Sequence, residues 1–280
     1  MNAAEGWLPY IIVLALIVCF AILLLVRRVL HQRLQNPRIR IGNGQTVGQR
    51  EEQDDYFATA HNGKATIAAL ADGISGMDNG RLASTIAVMT MIRGFEKPDS
   101  DRDFKSFFER TAIRANREIV HRLGGAQGGT TLVAAVIQNG LLYWASVGDS
   151  MIAVIRGGDV MRMNRNQTYS SVLEERFVAG EISKQEVLTH PLKNRLVNYL
   201  GHEGFHSIET SKEPFPLEKR DKVILCSDGV YRALTDIELV QLVMGAGSPQ
   251  KAVEAMIEAV ERKGRANQDN ATVIILDKGW

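Results

Sequence analysis

Hydrophobic and polar positions are unevenly distributed, and the sharpest feature is 8–26, LPYIIVLALIVCFAILLLV, which carries no charge. As a helix at about 1.5 Å per residue this run spans roughly 28 Å, close to the hydrocarbon thickness of a bilayer. Pro9 falls in the first turn, where a missing N–H costs little. Trp7 and Tyr10 stand at one end, where aromatic side chains suit a membrane interface. A buried core helix of this length normally carries polar positions. A cleaved signal peptide begins with basic residues, whereas here arginines follow the run and none precedes it. The pattern predicts one transmembrane helix over 1–26 and a basic juxtamembrane linker over 27–45. Val29, Leu34, Ile39 and Ile41 would let that linker continue as a short interfacial helix.

From Thr46 onward the pattern changes and no proline-rich linker, repeat or low-complexity stretch appears, so 46–280 reads as one domain. Short apolar runs at 65–71, 131–137, 141–147, 151–155, 160–163, 223–226 and 271–276 predict strands. Asn139-Gly140 predicts a two-residue hairpin turn, and Gly157-Gly158 a second. Helical spacing predicts helices over 81–95, 102–123, 237–244 and 250–262; in the second, Phe104, Phe107, Phe108, Ala112, Ala115, Ile119 and Leu123 share a face. Antiparallel hairpins with helices inserted in pairs point to a layered α+β architecture rather than alternating parallel βαβ units. Met89 and Met91, inside a predicted helix, are packing residues.

Charge sharpens the division. The chain carries net charge +1, yet 1–50 holds six arginines (Arg27, Arg28, Arg33, Arg38, Arg40, Arg50), no lysine and the single acid Glu5. The rest is therefore net negative. Arginines on one flank of the apolar run predict that the large C-terminal part is cytoplasmic, and they suit anionic lipid headgroups. Near-neutral overall charge argues against a dedicated nucleic-acid binder. Two cysteines, Cys19 and Cys226, exclude a disulfide scaffold and a four-cysteine zinc site.

Candidate chemistry lies in aspartates at strand ends. Asp54-Asp55 follow Arg50 in GQREEQDDYF. Asp72 closes ALADGISG, Asp149 closes ASVGDS, Asp228 closes VILCSDGV, and Asp269 precedes a strand in NQDNATVIIL. A strand that delivers an acid to its end, followed by glycine, aims it into a cleft. Several carboxylates gathered there repel one another unless cations neutralise them. Oxygen ligands suit Mg²⁺ or Mn²⁺ better than zinc. Each Asp-Gly taken alone is most simply a turn; the argument rests on the set and its order. Gly124-Gly125 and Gly128-Gly129 are followed by no Gly-Lys-Ser/Thr and read as turns rather than a nucleotide loop.

In order and separation, the strings GQREEQDD, ALADGISGMDNG, GGTTLVAAV, WASVGDS, NRLVNYLG, VILCSDGV and QDNATVIIL resemble the metal-dependent protein phosphatases of type 2C in their compact bacterial form. They cover nearly all of 46–276. The resemblance implies a central antiparallel β-sandwich flanked by pairs of helices, four layers αββα. It implies Mn²⁺ or Mg²⁺ as cofactor, two ions and a weaker third. By resemblance Asp72 bridges both metals and the Gly73 carbonyl is a backbone ligand. Asp228 and Asp269 serve the first metal, Asp54 the second, with Asp55 orienting bound water, and Asp149 the third. Arg50 grips substrate phosphate. The implied reaction is hydrolysis of phosphoserine or phosphothreonine by a water bridging two metal ions, and the implied partners are phosphorylated proteins and an opposing serine/threonine kinase. Together with the apolar run, this places the enzyme at the inner (cytoplasmic) membrane as a single-pass protein.

The chain departs from the family at three places. A histidine expected shortly after the second motif is replaced by Ile74 or Met77, leaving the general acid unassigned, and His61 reads as a solvated loop residue. Gly148-Asp149-Ser150-Met151 lacks the arginine of the usual string. Asn166-Gln167 stands for an Asp-His pair at the start of the 167–206 flap. These losses keep open a non-catalytic phosphatase-like module that senses or binds a partner.

Overall fold

The computed structural model describes residues 8–35, 39–74, 79–97, 103–205 and 207–278. They form two compact units, 1–38 and 39–280. The first is helix α1, Leu8–Gln35. Its described side chains, Tyr10 and 12–27, are all exposed. Among the described residues no helix is long and apolar enough to cross a membrane. The expected span is therefore not supported by the structure. Trp7, Arg38 and Met77, and the side chains of Pro9, Arg28 and Arg33, lie outside the described residues.

Eleven strands among the described residues of the second unit make two antiparallel sheets. One contains β1 (Arg40–Thr46), β11 (Ala271–Asp277), β10 (Lys222–Cys226), β6 (Met151–Arg156) and β7 (Asp159–Arg162), in that order. The other runs β2 (Tyr56–His61), β3 (Ala65–Ala71), β4 (Leu132–Gln138), β5 (Leu141–Val147) and β8 (Glu209–Thr210), with β9 (Phe215–Pro216) also on β5.

The period of two in a strand explains the layering. In β3, Ala68 and Leu70 face the other sheet, packing with Val133, Ile152, Val154, Leu225 and Ile274. Ile67 and Ala69 point outward onto α2 (Gly80–Glu96) and α3 (Phe104–Leu123), against Met91, Phe95, Phe108 and Ile119. On the opposite side Ile224, Cys226, Val273 and Ile275 pack under α7 (Asp236–Gly245) and α8 (Pro249–Arg262). Both sheets are thus covered on both faces, which is why their strands read as continuous apolar runs. The expected αββα sandwich is what the second unit forms. The two glycine-marked hairpins also form: Asn139 and Gly140 take φ of 51° and 79°, and Gly157 and Gly158 take 60° and 97°, the left-handed pair that a tight hairpin needs.

The linker expectation for 27–45 is corrected at its C-terminal part. Residues 40–46 are not an interfacial helix but an edge strand paired with β11. Arg40 forms an ion pair with the buried carboxylate of Asp277, so it serves this sheet rather than lipid headgroups. RIGNGQT hides a strand because its glycines are needed for packing: a Cβ on Gly42 would stand 2.4 Å from the Pro249 carbonyl carbon, and one on Gly44 2.7 Å from Val253. Glycine here lets α8 lie directly on the strand. His61 ends β2, exposed, with Nδ1 3.0 Å from Thr66 Oγ1, rather than sitting in a loop.

Replacing Gly42 by alanine should therefore destabilise the protein by about 1–3 kcal/mol through overpacking. Urea denaturation measures it; a change within error would mean that β1 is dispensable.

Candidate active site

The strands of both sheets end at one cleft of about 340 Å³, lined by Asp72, Ile74, Thr131, Asp149, Asn194, Arg195, Leu196, Tyr199, Asp228, Arg232 and Asp269. Four of the sequence-predicted acids thus converge. Asp72 leaves β3, held by backbone bonds on either side: its N–H donates to Thr131 Oγ1 at 3.0 Å, and Thr130 Oγ1 donates to its carbonyl at 2.9 Å. Thr131 Oγ1 is also 2.8 Å from Ser150 Oγ, tying the Asp72 strand to the loop that carries Asp149. Asp228 opens the short helix α6 (Asp228–Tyr231) straight after β10. Gly229 follows, where a Cβ would meet the Asn270 carbonyl oxygen at 2.0 Å, so only glycine lets these two acid-bearing loops touch.

The acidic loop before β2 is fastened by Asn270. Its Nδ2 donates to the carbonyls of Val47 and Glu52, both at 2.9 Å, and its Oδ1 accepts from Asp54 N–H at 2.7 Å. Gly48 adopts φ of +66° there, with Asp269 O 2.5 Å from a would-be Cβ. Asp54 and Arg50 belong to this loop but do not line the cleft. Arg50 Nη2 donates to Asp269 Oδ2 at 2.7 Å. Asp55 is fully buried, its Oδ2 accepting from Ser227 Oγ at 2.8 Å. Gly73 lies against Gly80, whose carbonyl carbon would be 2.6 Å from a Cβ, and its N–H donates to the Asp54 carbonyl at 3.3 Å.

Electrostatics follow from crowding. Burial, together with the charges of Asp55, Asp228, Asp149 and Asp269, holds the Asp72 carboxyl well above the ordinary range. Burial pushes Asp228 up to about 7, against the pull of Arg232. It pushes Asp55 up to about 6, and raises Asp149 and Asp54. Arg232 Nη2 lies 2.9 Å from Asp228 Oδ2 and 3.5 Å from Asp149 Oδ2. Asp228 Oδ1 and Asp55 Oδ1 are buried without a hydrogen-bond partner. Oxygen-only donors with unsatisfied buried carboxylate oxygens fit a hard divalent cation. Among the described residues, however, no three His, Cys, Asp or Glu side chains are grouped closely enough to hold one ion. The arginines stand on the carboxylates instead.

Sequence reasoning missed Arg232, and it quoted Asn194, Arg195 and Tyr199 within NRLVNYLG without giving them a role. For Arg232 a signal existed: it follows Asp228 by four residues on a helical turn, the spacing at which a carboxylate and a guanidinium meet. Gln167 was noted only as a departure. In the structure its Oε1 accepts from Gly148 N–H at 3.0 Å and Asn198 Nδ2 at 2.7 Å, linking the Asp149 loop to the flap. The flap holds α4 (Tyr169–Val178) and α5 (Lys184–Thr189). Beside the cleft and continuous with it through Asp149, Asn194 and Arg232, a second groove of about 820 Å³ runs along α4. Ile74 lines the cleft, and among the described lining residues there is no histidine.

A family model described as Protein phosphatase 2C matches residues 41–269. The chain is 29% identical to a serine/threonine phosphatase stp of Listeria innocua over 255 residues, 88% of this chain and 94% of that one. In fold it resembles the serine/threonine phosphatase of S. agalactiae, with TM-score 0.75 and 22% identity over 85% of this chain and 98% of that one. It also resembles the catalytic domain of the phosphatase PstP, solved in complex with two manganese ions, with TM-score 0.67 and 21% identity over 85% and 97%.

Acids whose folded pKa is raised bind protons more tightly folded than unfolded, so the stability they give is lost as pH rises through the folded value. Without divalent metal, the melting temperature should fall as pH is raised from about 5 to about 8, the window spanning the raised values near 6 and 7. Asp228→Asn should flatten that slope. A melting temperature that rises across the window would contradict the crowded-carboxylate picture.

Proposed function

The chain belongs to the protein phosphatase 2C family and is a metal-dependent serine/threonine protein phosphatase, and from that premise we propose how its residues divide the work and where in the cell it acts. The carrying observation is the meeting of Asp72, Asp149, Asp228 and Asp269 in one cleft, with buried carboxylate oxygens left unsatisfied. Asp72, Asp228 and Asp269 would draw together on the principal ions once Arg50 and Arg232 leave them, with Asp54, the Gly73 carbonyl and Asp149 as further ligands. Mn²⁺ or Mg²⁺, when bound, supplies a polarised water as nucleophile and neutralises charge on the phosphoryl oxygens.

The rest is the work of the chain itself. Asp55, fixed by Ser227 Oγ, orients water beside the acids. Arg50, on the exposed loop at the edge of the site, exchanges Asp269 for substrate phosphate, which its fork grips through two oxygens. The flap wall of the cleft, through Asn194, Arg195 and Tyr199, faces the residues flanking the phosphorylated side chain. Since no histidine lines the cleft among the described residues, proton delivery to the leaving oxygen is assigned to no side chain. The substrates of this reading are phosphorylated proteins, set against a serine/threonine kinase.

The same reading attaches the enzyme to the inner (cytoplasmic) membrane by residues 8–26, with the catalytic unit in the cytoplasm. It is supported by the uncharged run, by the arginines that follow it and by the exposure of Ile12, Leu16, Phe20 and Leu24.

With Mn²⁺ and a phosphothreonine peptide, Asp72→Asn and Asp228→Asn should each lower kcat by about a thousandfold or more, with the circular dichroism spectrum retained. Arg50→Ala should raise KM by about tenfold. Turnover that survives both EDTA and Asp228→Asn would sink the assignment. Separately, the full chain should sediment with membranes and resist extraction by high salt, while 39–280 should remain in the supernatant; a full chain found only in the supernatant removes the anchor.

A further inference from the structure

Arg232 stands one helical turn after the cleft acid Asp228. Among the described residues its guanidinium is the cation paired with both acids, 2.9 Å from Asp228 and 3.5 Å from Asp149 through the same nitrogen. The two carboxylates are almost sealed from solvent, with side-chain exposures of 7% for Asp149 and 12% for Asp228, whereas that of Arg232 is 43%. Arg232 lines both the cleft and the adjoining groove. One partner is thus fixed in the wall of the site and the other reaches it from open space on a long side chain. The neutralisation is also incomplete, because Asp228 Oδ1 remains buried with no hydrogen-bond partner. An ion pair built for permanence would satisfy that oxygen.

We propose that Arg232 is an exchangeable counter-cation: it neutralises Asp149 and Asp228 before metal binds and competes with the incoming ion for them. This rests on the reading that these acids are metal ligands. The competition sets how much divalent metal the site needs. A released Arg232 side chain has the neighbouring groove, with Glu174 and Glu175 on its wall, in which to settle. Tyr231 helps hold the pair in register, its hydroxyl donating to the Asp149 carbonyl at 3.0 Å.

Titration of the full-length, metal-free protein with Mn²⁺, followed by calorimetry and by the electron paramagnetic resonance of unbound Mn²⁺, tests this without reading turnover. Arg232→Ala should bind Mn²⁺ about two- to fivefold more tightly than the unaltered protein, the size expected for loss of one competing ion pair. Its metal-free form should melt at a lower temperature, and saturating Mn²⁺ should close that gap. Arg232→Lys, which keeps the charge and the fold, should bind with nearly unaltered affinity. Unchanged or weaker Mn²⁺ affinity in a folded Arg232→Ala protein overturns the proposal. Asp228→Asn, run in parallel, separates the two ideas. If it weakens binding while Arg232→Ala fails to tighten it, only the exchange fails. If it leaves Mn²⁺ binding intact, the ligand assignment and the exchange fall together.

Discussion

Mutual repulsion among Asp72, Asp149, Asp228 and Asp269 is the constraint around which the end of the sandwich is built. Carboxylates drawn from β3, from the β5–β6 connection, from α6 and from the loop before β11 cannot share a water-poor cleft while all are ionised, unless positive charge enters with them. The protein meets that demand with its own groups in two ways. Some acids hold their protons well above the ordinary range, Asp72 foremost. Others take a guanidinium: Asp269 from Arg50, and Asp228 and Asp149 from Arg232. Both devices are provisional, since each leaves buried oxygens unsatisfied. A site stabilised this poorly by its own side chains is one that gains most from a divalent ion.

The sandwich explains why such a site can persist. Two sheets, each covered by a helical layer, supply a rigid frame whose strand ends bring distant parts of the sequence together. Burial and like charge work against gathering these acids in their ionised form, so their positions are enforced by neighbours. Thr131 ties Asp72 to Ser150, Asn270 laces the loop bearing Asp54, and Gly229 permits contact that any side chain would forbid. Function at the cleft thus depends on packing and backbone bonds placed one shell outward.

Much of this was legible in the sequence because its physics is local. The strands 65–71 and 141–147 lie where their apolar runs put them, and Asn139-Gly140 makes its turn by left-handed backbone. Four of the acids at strand ends, Asp72, Asp149, Asp228 and Asp269, line one cleft. What stayed hidden depended on long-range fit. β1 escaped because Gly42 and Gly44 look like loop residues until α8 is laid on them. The flap helices escaped because only Leu173 of α4 is fully buried and none of α5 is, so neither carries a strong apolar face. Arg232 was visible at its spacing from Asp228, but its contact with Asp149 spans eighty-three residues of sequence.

The central claim is that the converging aspartates exist to hold divalent cations. Anomalous diffraction at the manganese edge, from crystals of the protein equilibrated with Mn²⁺, tests it most directly. The account predicts ordered manganese among Asp72, Asp228 and Asp269, with the Arg232 guanidinium withdrawn from Asp149 and Asp228. A cleft with no manganese at saturating concentration, and both arginine pairs still in place, would contradict it.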